Sequence, residues 1–382
     1  MEFHLNRIVL NKGEVIDGYK IACLLGQGGY GDVYKVTNSH GKEFAMKTEY
    51  LNSPKKALES EIKIIKKLHS PYFPKYYSDG ETKDFKYLIV DTLGPSIGDI
   101  QKLDSEAITT EFTYNFALQS LSIIEKLHEC GYIHRDIKPT NFLLKRDQKH
   151  PLNLIDFGIS KPYINFENGE ILEPVPSRYK GTRKYASVNS HNGKDLGRCD
   201  DLFSWFYCII EMKMGKLPWN DIKNYDEVKK MKQNQVSTVI KPYPELVKIY
   251  DYLIELKFKD KPDYDFLRSI ITEKMEKDGF NSESFNWIDF YDKMKKLKKT
   301  IEVCPNNQNK SDNKKDSNKK EAVNQNNFVV NKIHTNQFPS QQNEKRQKKV
   351  IQEEKHNKHN KKVKKSGKNH KNKSDGKDCL LS

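Results

Sequence analysis

Apolar and polar side chains alternate with the two-residue rhythm of half-buried strands over residues 19–25, 32–36 and 43–47, so three strands are expected there. A glycine-rich turn at 26–31 and a second turn at 38–41 join them into a meander. The period then lengthens. Leu58, Ile62, Ile65 and Leu68 recur at helical spacing over residues 57–68, and a further strand is expected at 87–90. From Thr109 the pattern is helical again, with Phe112, Phe116, Leu121, Ile124 and Leu127 on one face and Gly131 placed to end the helix. Helices are also expected at 201–214, 244–256 and 266–276, with Pro244 suited to a first helical position. A small β-rich lobe followed by a larger helical one is an α+β arrangement, and no internal repeat interrupts it.

Beyond residue 298 the pattern stops. Asn, Lys, Gln and Ser dominate, and the aromatic residues shrink to Phe328 and Phe338, too little apolar surface to offset the entropy of ordering. Three segments are therefore expected: an extension at 1–18, a domain at 19–298 and a disordered tail at 299–382. Charge follows the same division. Of the net charge of +15, residues 301–382 carry +11 and leave +4 to the rest. The basic character belongs mainly to the tail, and nucleic acid is not expected as a partner of the folded domain.

No run of 18 apolar residues occurs, and the best candidate, 205–210, is closed by Glu211; the first 25 residues lack a signal-peptide core. A cytosolic chain is expected. Six cysteines, at 23, 130, 199, 208, 304 and 379, are scattered and include no C-x-x-C pair, which suggests neither a disulfide framework nor zinc.

The chemistry begins at Gly26-Gln27-Gly28-Gly29-Tyr30-Gly31, a G-x-G-x-x-G turn whose missing side chains let backbone amides approach phosphates. A dinucleotide fold would place a helix next, whereas Asp32-Val33-Tyr34-Lys35-Val36 alternates as a strand, so a hairpin closing over a nucleotide is the expectation; an unliganded tight hairpin is the plainer alternative. Sixteen residues on, Ala45-Met46-Lys47 places an ammonium at the end of an apolar strand, which is costly to bury unless anions meet it. Glu61, with Glu59 as second candidate, is expected to hold Lys47 toward the α and β phosphates. Val33 and Ala45 are counted among the nucleotide-binding residues.

His134-Arg135-Asp136-Ile137-Lys138-Pro139-Thr140-Asn141 supplies the groups that phosphoryl transfer to a hydroxyl would use. A chance match over the whole chain is on the order of 10^-5. Asp136 is placed to accept the acceptor's proton, Lys138 to neutralise charge on the moving phosphoryl group, and Asn141 to ligate Mg2+; His134 reads better as core packing. Fifteen residues later Asp156-Phe157-Gly158 follows an apolar strand, and Asp156 offers the hard oxygen that Mg2+ requires.

With these motifs, residues 19 to about 290 resemble a eukaryotic protein kinase. Ala186-Ser187-Val188-Asn189 in place of A-P-E, Leu93-Gly94-Pro95-Ser96, and Lys261-Pro262-Asp263-Tyr264 with Leu267-Arg268 resemble the casein kinase one superfamily. Gly197-Arg198-Cys199-Asp200-Asp201-Leu202, with Ser204, Phe206, Tyr207, Glu211, Gly215 and Leu217-Pro218-Trp219, is similar to its tau-tubulin kinase branch. The resemblance implies a bilobal fold with ATP between the lobes, Mg2+ as cofactor, protein substrates, and adenine read by the backbone near Asp91 and Leu93. It implies that Asp201 braces the loop around Asp136, a helix N-cap being the plain alternative. Without the A-P-E glutamate, an ion pair is lost and the segment must be held otherwise. Lys138 followed by Pro139 resembles the serine/threonine class. Arg183, Lys184 and Lys230 are candidates for an anion site favouring acidic or phosphorylated acceptors, weighed equally against a solvated basic face. A pseudokinase scaffold, binding nucleotide or partners without transfer, is the rival from another class.

Cys379-Leu380-Leu381-Ser382 fits C-a-a-X with a terminal residue that favours farnesyl. Residues 361–378 hold eight lysines against two aspartates, the second signal that one lipid chain needs for stable anchoring on an anionic membrane. The expectation is a kinase at the cytoplasmic face of a membrane. The alternatives are an unmodified cysteine, or a nuclear kinase whose Lys361-Lys362-Val363-Lys364-Lys365 run serves nuclear import or nucleic-acid binding.

Overall fold

The computed structural model describes residues 9–28, 31–54, 56–176 and 178–303. The chain opens with β1 (Val15–Ile16), β2 (Tyr19–Gln27), β3 (Asp32–Thr37) and β4 (Glu43–Tyr50), continues through helix α1 (Ala57–Ile65), and returns as β5 (Tyr76–Glu81) and β6 (Phe85–Asp91). These strands form one antiparallel sheet in the order β1-β2-β3-β4-β6-β5. Alternation explains its two faces. Tyr34, Val36, Phe44, Met46, Tyr87 and Ile89 make one buried cluster, which Leu10 of the N-terminal segment joins. Leu88 points the other way and packs in the same core as Leu58, Ile62 and Ile65 of α1.

Each expected strand is present and runs longer at one or both ends. β5 escaped the pattern because its sequence, Tyr-Tyr-Ser-Asp-Gly-Glu, is that of a polar edge strand with no core face to reveal. α1 stops at Ile65, three residues before the apolar period does. Lys67 and Leu68 bond back only three residues, to Ile64 and Ile65, and this tightened turn still carries Leu68 into the core.

The second lobe contains α2 (Ile97–Leu103), α3 (Thr110–Glu129), the strand pairs β7 (Tyr132–Ile133) with β10 (Lys161–Pro162) and β8 (Phe142–Leu144) with β9 (Leu152–Leu154), and then α4 (Val188–His191), α5 (Arg198–Met214), α6 (Tyr225–Asn234), α7 (Val236–Ile240), α8 (Pro244–Glu255), α9 (Tyr264–Lys277) and α10 (Trp287–Val303). Thr109 caps α3 by accepting from the Phe112 amide, and Gly131 follows it at φ 84°, the left-handed turn that favours glycine. α3 and α5 form the centre. Trp205 is fully buried there, its indole N–H donating to Ala117 O at 3.2 Å and Ser120 Oγ at 3.0 Å of α3. α5 begins at Arg198, earlier than the pattern suggests, because Asp200 folds back on the amide of Gly197 at 2.8 Å. That start corrects the N-cap alternative for Asp201, which lies inside the helix rather than ahead of it.

The turn between β2 and β3 depends on close backbone approach. A Cβ on Gly31 would stand 1.8 Å from the Thr48 carbonyl oxygen, a backbone atom that cannot rotate away. Gly31→Ala is therefore expected to destabilise the first lobe by roughly 1–3 kcal/mol; chemical denaturation checks it, and a wild-type midpoint would contradict the contact.

Candidate active site

The hairpin register puts Val33 opposite Lys47 and Lys35 opposite Ala45, so Val33, Ala45 and Lys47 share the sheet face turned away from the Tyr34 and Met46 cluster. The glycine turn leads into β3, not a helix, and Gly28 N–H closes it on Gly31 O at 2.8 Å; Gly26 and Gln27 lie in β2. Gly29 and Tyr30 lie outside the described residues. At the far end of the sheet, Asp91 spends its carboxylate on the Lys75 amide and Tyr77 hydroxyl, both at 2.9 Å, and its own amide on Lys75 O at 3.2 Å. Leu93 follows in the extended link to α2, where Gly94 N–H donates to Leu144 O.

Lys47 Nζ lies 2.6 Å from Glu61 Oε2 and 2.8 Å from Asp156 Oδ1. Burial alone would lower the lysine's pKa, but the two carboxylates more than offset it and hold the ammonium above the ordinary lysine range. The carboxylates are unequal. Lys47 draws Asp156 down to about 2, whereas burial pushes Glu61 up in spite of the same lysine. Glu59 points elsewhere, to Lys63 at 3.0 Å on the exposed side of α1.

Glu49 holds α1 in place and was missed by the sequence reading. The helix has no side-chain cap of its own at Lys56. Instead, the buried Glu49 carboxylate on β4 accepts from the Ala57 amide at 3.0 Å and the Leu58 amide at 3.2 Å. An anion there satisfies two orphan donors and complements the helix dipole. The signal was present in the strand period, since Glu49 lies two residues after Lys47 and shares its face.

Between β7 and β8, Asp201 fixes the loop from below. Its Oδ2 accepts from the His134 amide at 2.6 Å and lies 3.0 Å from His128 Nε2, and its Oδ1 accepts from the Arg135 amide at 2.7 Å. Arg135 takes φ 68° there, a conformation that costs about 1–3 kcal/mol and persists only when its surroundings impose it. His134 is fully buried, donating from Nε2 to Ile155 O at 3.0 Å with its ring against Phe157. Core packing and loop support account for it.

Asp136 is held at both oxygens. Oδ2 accepts from Lys138 Nζ at 2.6 Å; Oδ1 accepts from Thr182 N–H at 2.8 Å and Thr182 Oγ1 at 2.7 Å. Thr182, which no motif of the sequence singles out, is thus a direct partner of the candidate base. Asn141 donates from Nδ2 to the Asp136 carbonyl at 2.9 Å, which leaves its amide oxygen to face a cation. Asp156 uses one oxygen for Lys47. A carboxylate and an amide oxygen are the hard donors that suit Mg2+. Among the described residues no group of three or more His, Cys, Asp or Glu side chains could hold a metal alone, so such an ion would complete its shell with phosphate oxygens and water.

The expected anion trio is only partly available. Lys184 is spent on Glu211, whose other oxygen accepts from Tyr185 OH, and Arg183 donates to the Lys223 carbonyl with its guanidinium 5.2 Å over the Tyr225 ring. Lys230 is the exposed member. Lys184 is the correction: the buried Glu211 carboxylate competes for it more closely than any solvent anion would.

Residues 19–299 match the protein kinase domain family, and the chain belongs to that family. A probable serine/threonine-protein kinase of Dictyostelium discoideum is 32% identical over 286 residues, covering 72% of this chain and 57% of that protein. The chain thus spans little more than half the length of that relative.

Removing the Glu49 cap while keeping Glu61 and Lys47 is expected to loosen α1. Glu49→Ala should cost about 1–2 kcal/mol in stability and weaken protection of the α1 amides in hydrogen exchange; unchanged α1 exchange would show that the helix is held by packing alone.

Proposed function

We propose that the chain is a serine/threonine protein kinase that transfers the γ-phosphoryl group of ATP to protein hydroxyls. The observation that carries this is the double anchoring of Asp136 by Lys138 and Thr182 beside the Lys47, Glu61 and Asp156 cluster. Asp136 accepts the proton of the attacking hydroxyl as its oxygen bonds to phosphorus and the bond to the ADP oxygen breaks. Lys138, hydrogen-bonded to Asp136, places positive charge where the phosphoryl group would pass; Lys47 meets the upstream phosphates. When bound, Mg2+ would supply electrostatic neutralisation of the phosphates, held by Asp156 and Asn141. The glycine turn would cover the phosphates, and the backbone near Asp91 and Leu93 would read adenine.

Within the family we assign the chain to the casein kinase one superfamily, leaning to the tau-tubulin kinase branch. Support comes from the residues that replace A-P-E: Ser187 caps α4, and Asn189 donates to the buried Asp200 at 3.1 Å. Tyr264 of the Lys261-Pro262-Asp263-Tyr264 motif lies 2.6 Å from His128, which in turn meets Asp201. A preference for acidic or phosphorylated acceptors would rest on Arg183 and Lys230, since Lys184 is engaged.

The tail reading is a separate part of the proposal. Cys379 and the lysine run lie outside the described residues, and no described helix is long and apolar enough to cross a membrane. Farnesylation of Cys379 beside the polybasic run would tether the kinase to an anionic cytoplasmic membrane face.

Two measurements test these readings. Asp136→Asn should lower phosphate transfer to casein by about a hundredfold or more with the fold intact; equal transfer by both proteins would favour a scaffold without catalysis. Cys379→Ser, expressed in a eukaryotic host, should move the protein from the membrane to the soluble fraction and remove the lipid mass. A variant that stays on membranes would assign the localisation to something other than the thiol.

A further inference from the structure

The replacement of A-P-E leaves open what holds the segment beside Asp136, and a buried lysine on another element meets it. Lys232, in the last turn of α6, is 1% exposed. Its Nζ donates to Ala186 O at 2.6 Å and Arg183 O at 2.8 Å, and lies 3.4 Å from His191 Nε2. The rings of Tyr207 and Trp219 cover it at 4.9 and 5.4 Å. None of these partners is a carboxylate. Burial drives its pKa well below the ordinary lysine range, and its N–H groups, cut off from water, are satisfied by the two carbonyls and the imidazole they meet.

What it organises is one turn. Tyr185 and Ala186 amides both bond back to Thr182 O at 2.9 Å, and Trp219 Nε1 donates to Lys184 O at 2.8 Å. Lys232 takes the Arg183 and Ala186 carbonyls. Four of the five carbonyls of residues 182–186 thus have donors, and the residue that starts the turn, Thr182, grips Asp136. We propose that Lys232 is a positioning residue for the protein acceptor: it fixes the 182–186 turn against α6, taking over the bracing that a glutamate–arginine pair would give, and so sets where an acceptor hydroxyl meets Asp136. This rests on the kinase reading of Asp136.

The test uses the full chain with Lys232→Met, which keeps length and apolar stem but removes the donors, and Lys232→Gln, which keeps one donor group. Steady-state kinetics would be measured for transfer to casein and, separately, for hydrolysis of ATP to water. The expected result for K232M is a fall of about tenfold or more in kcat/KM for casein, with the KM for ATP and the hydrolysis rate retained within about threefold. K232Q should fall between. Unchanged casein kinetics in either variant, or a parallel loss of hydrolysis and transfer, would overturn the proposal, as would failure of both variants to fold, which makes the residue a stability element. Wild-type protein no more active than Asp136→Asn would instead remove the kinase reading itself.

Discussion

Three elements that are far apart in sequence meet on one ammonium. Lys47 comes from the central strand of the sheet, Glu61 from α1 and Asp156 from the stretch after β9, so the charge of a single side chain links the strand, the helix and the second lobe. Neither partner suffices alone. With Lys47 removed, two carboxylates would face one another across a partly buried site. With it in place, Asp156 stays ionised into strongly acidic solution. Glu49 serves the same geometry from two residues away, since a helix of nine residues with no cap of its own would otherwise fray at the end nearest β4.

A second centre lies beneath the loop that carries Asp136. Asp201 is buried in α5, and it is satisfied by two backbone amides and an imidazole rather than by a full salt bridge to Arg or Lys. Burial raises the cost of its charge, but those donors together hold its pKa below the usual carboxylate range. The loop takes a left-handed backbone at Arg135, φ 68°, where this anion accepts from both the His134 and Arg135 amides. Tyr264 joins the cluster through His128 and brings α9 into it. The middle of the second lobe, with Trp205 bonded into α3, supports the short loop whose His134, Arg135, Asp136, Lys138 and Asn141 side chains are all hydrogen-bonded.

The segment around Thr182 is stabilised in a different way, by backbone carbonyls that accept from α6 and from the stretch between α5 and α6, and by side chains that donate to Glu211 of α5. Lys184 with Glu211, Trp219 with the Lys184 carbonyl, and Lys232 with two more carbonyls form one continuous patch. Such a patch ties the backbone beside Asp136 to the helical lobe.

The strands at 19–25, 32–36 and 43–47, the long helix after Thr109 and the motif residues at 47, 136, 141 and 156 were legible in the sequence, because each follows a local period or a short motif, whereas the choice of Glu61 over Glu59 was made by the fold. β5 and the start of α5 were not legible, since a polar edge strand shows no apolar period and α5 is started by the Asp200 carboxylate on the Gly197 amide rather than by an apolar residue. The partners of Thr182 and Lys232, and the engagement of Lys184 by Glu211, were set by tertiary structure, and the strand period placed Glu49 on the face of Lys47 without showing the amides it caps. A charged side chain carries no mark of its partner in the sequence. Whether a lysine meets solvent, a carboxylate or a ring of carbonyls is decided by elements that the fold brings together from 27 and 46 residues away, and by the cost of leaving that charge unmet once water is gone.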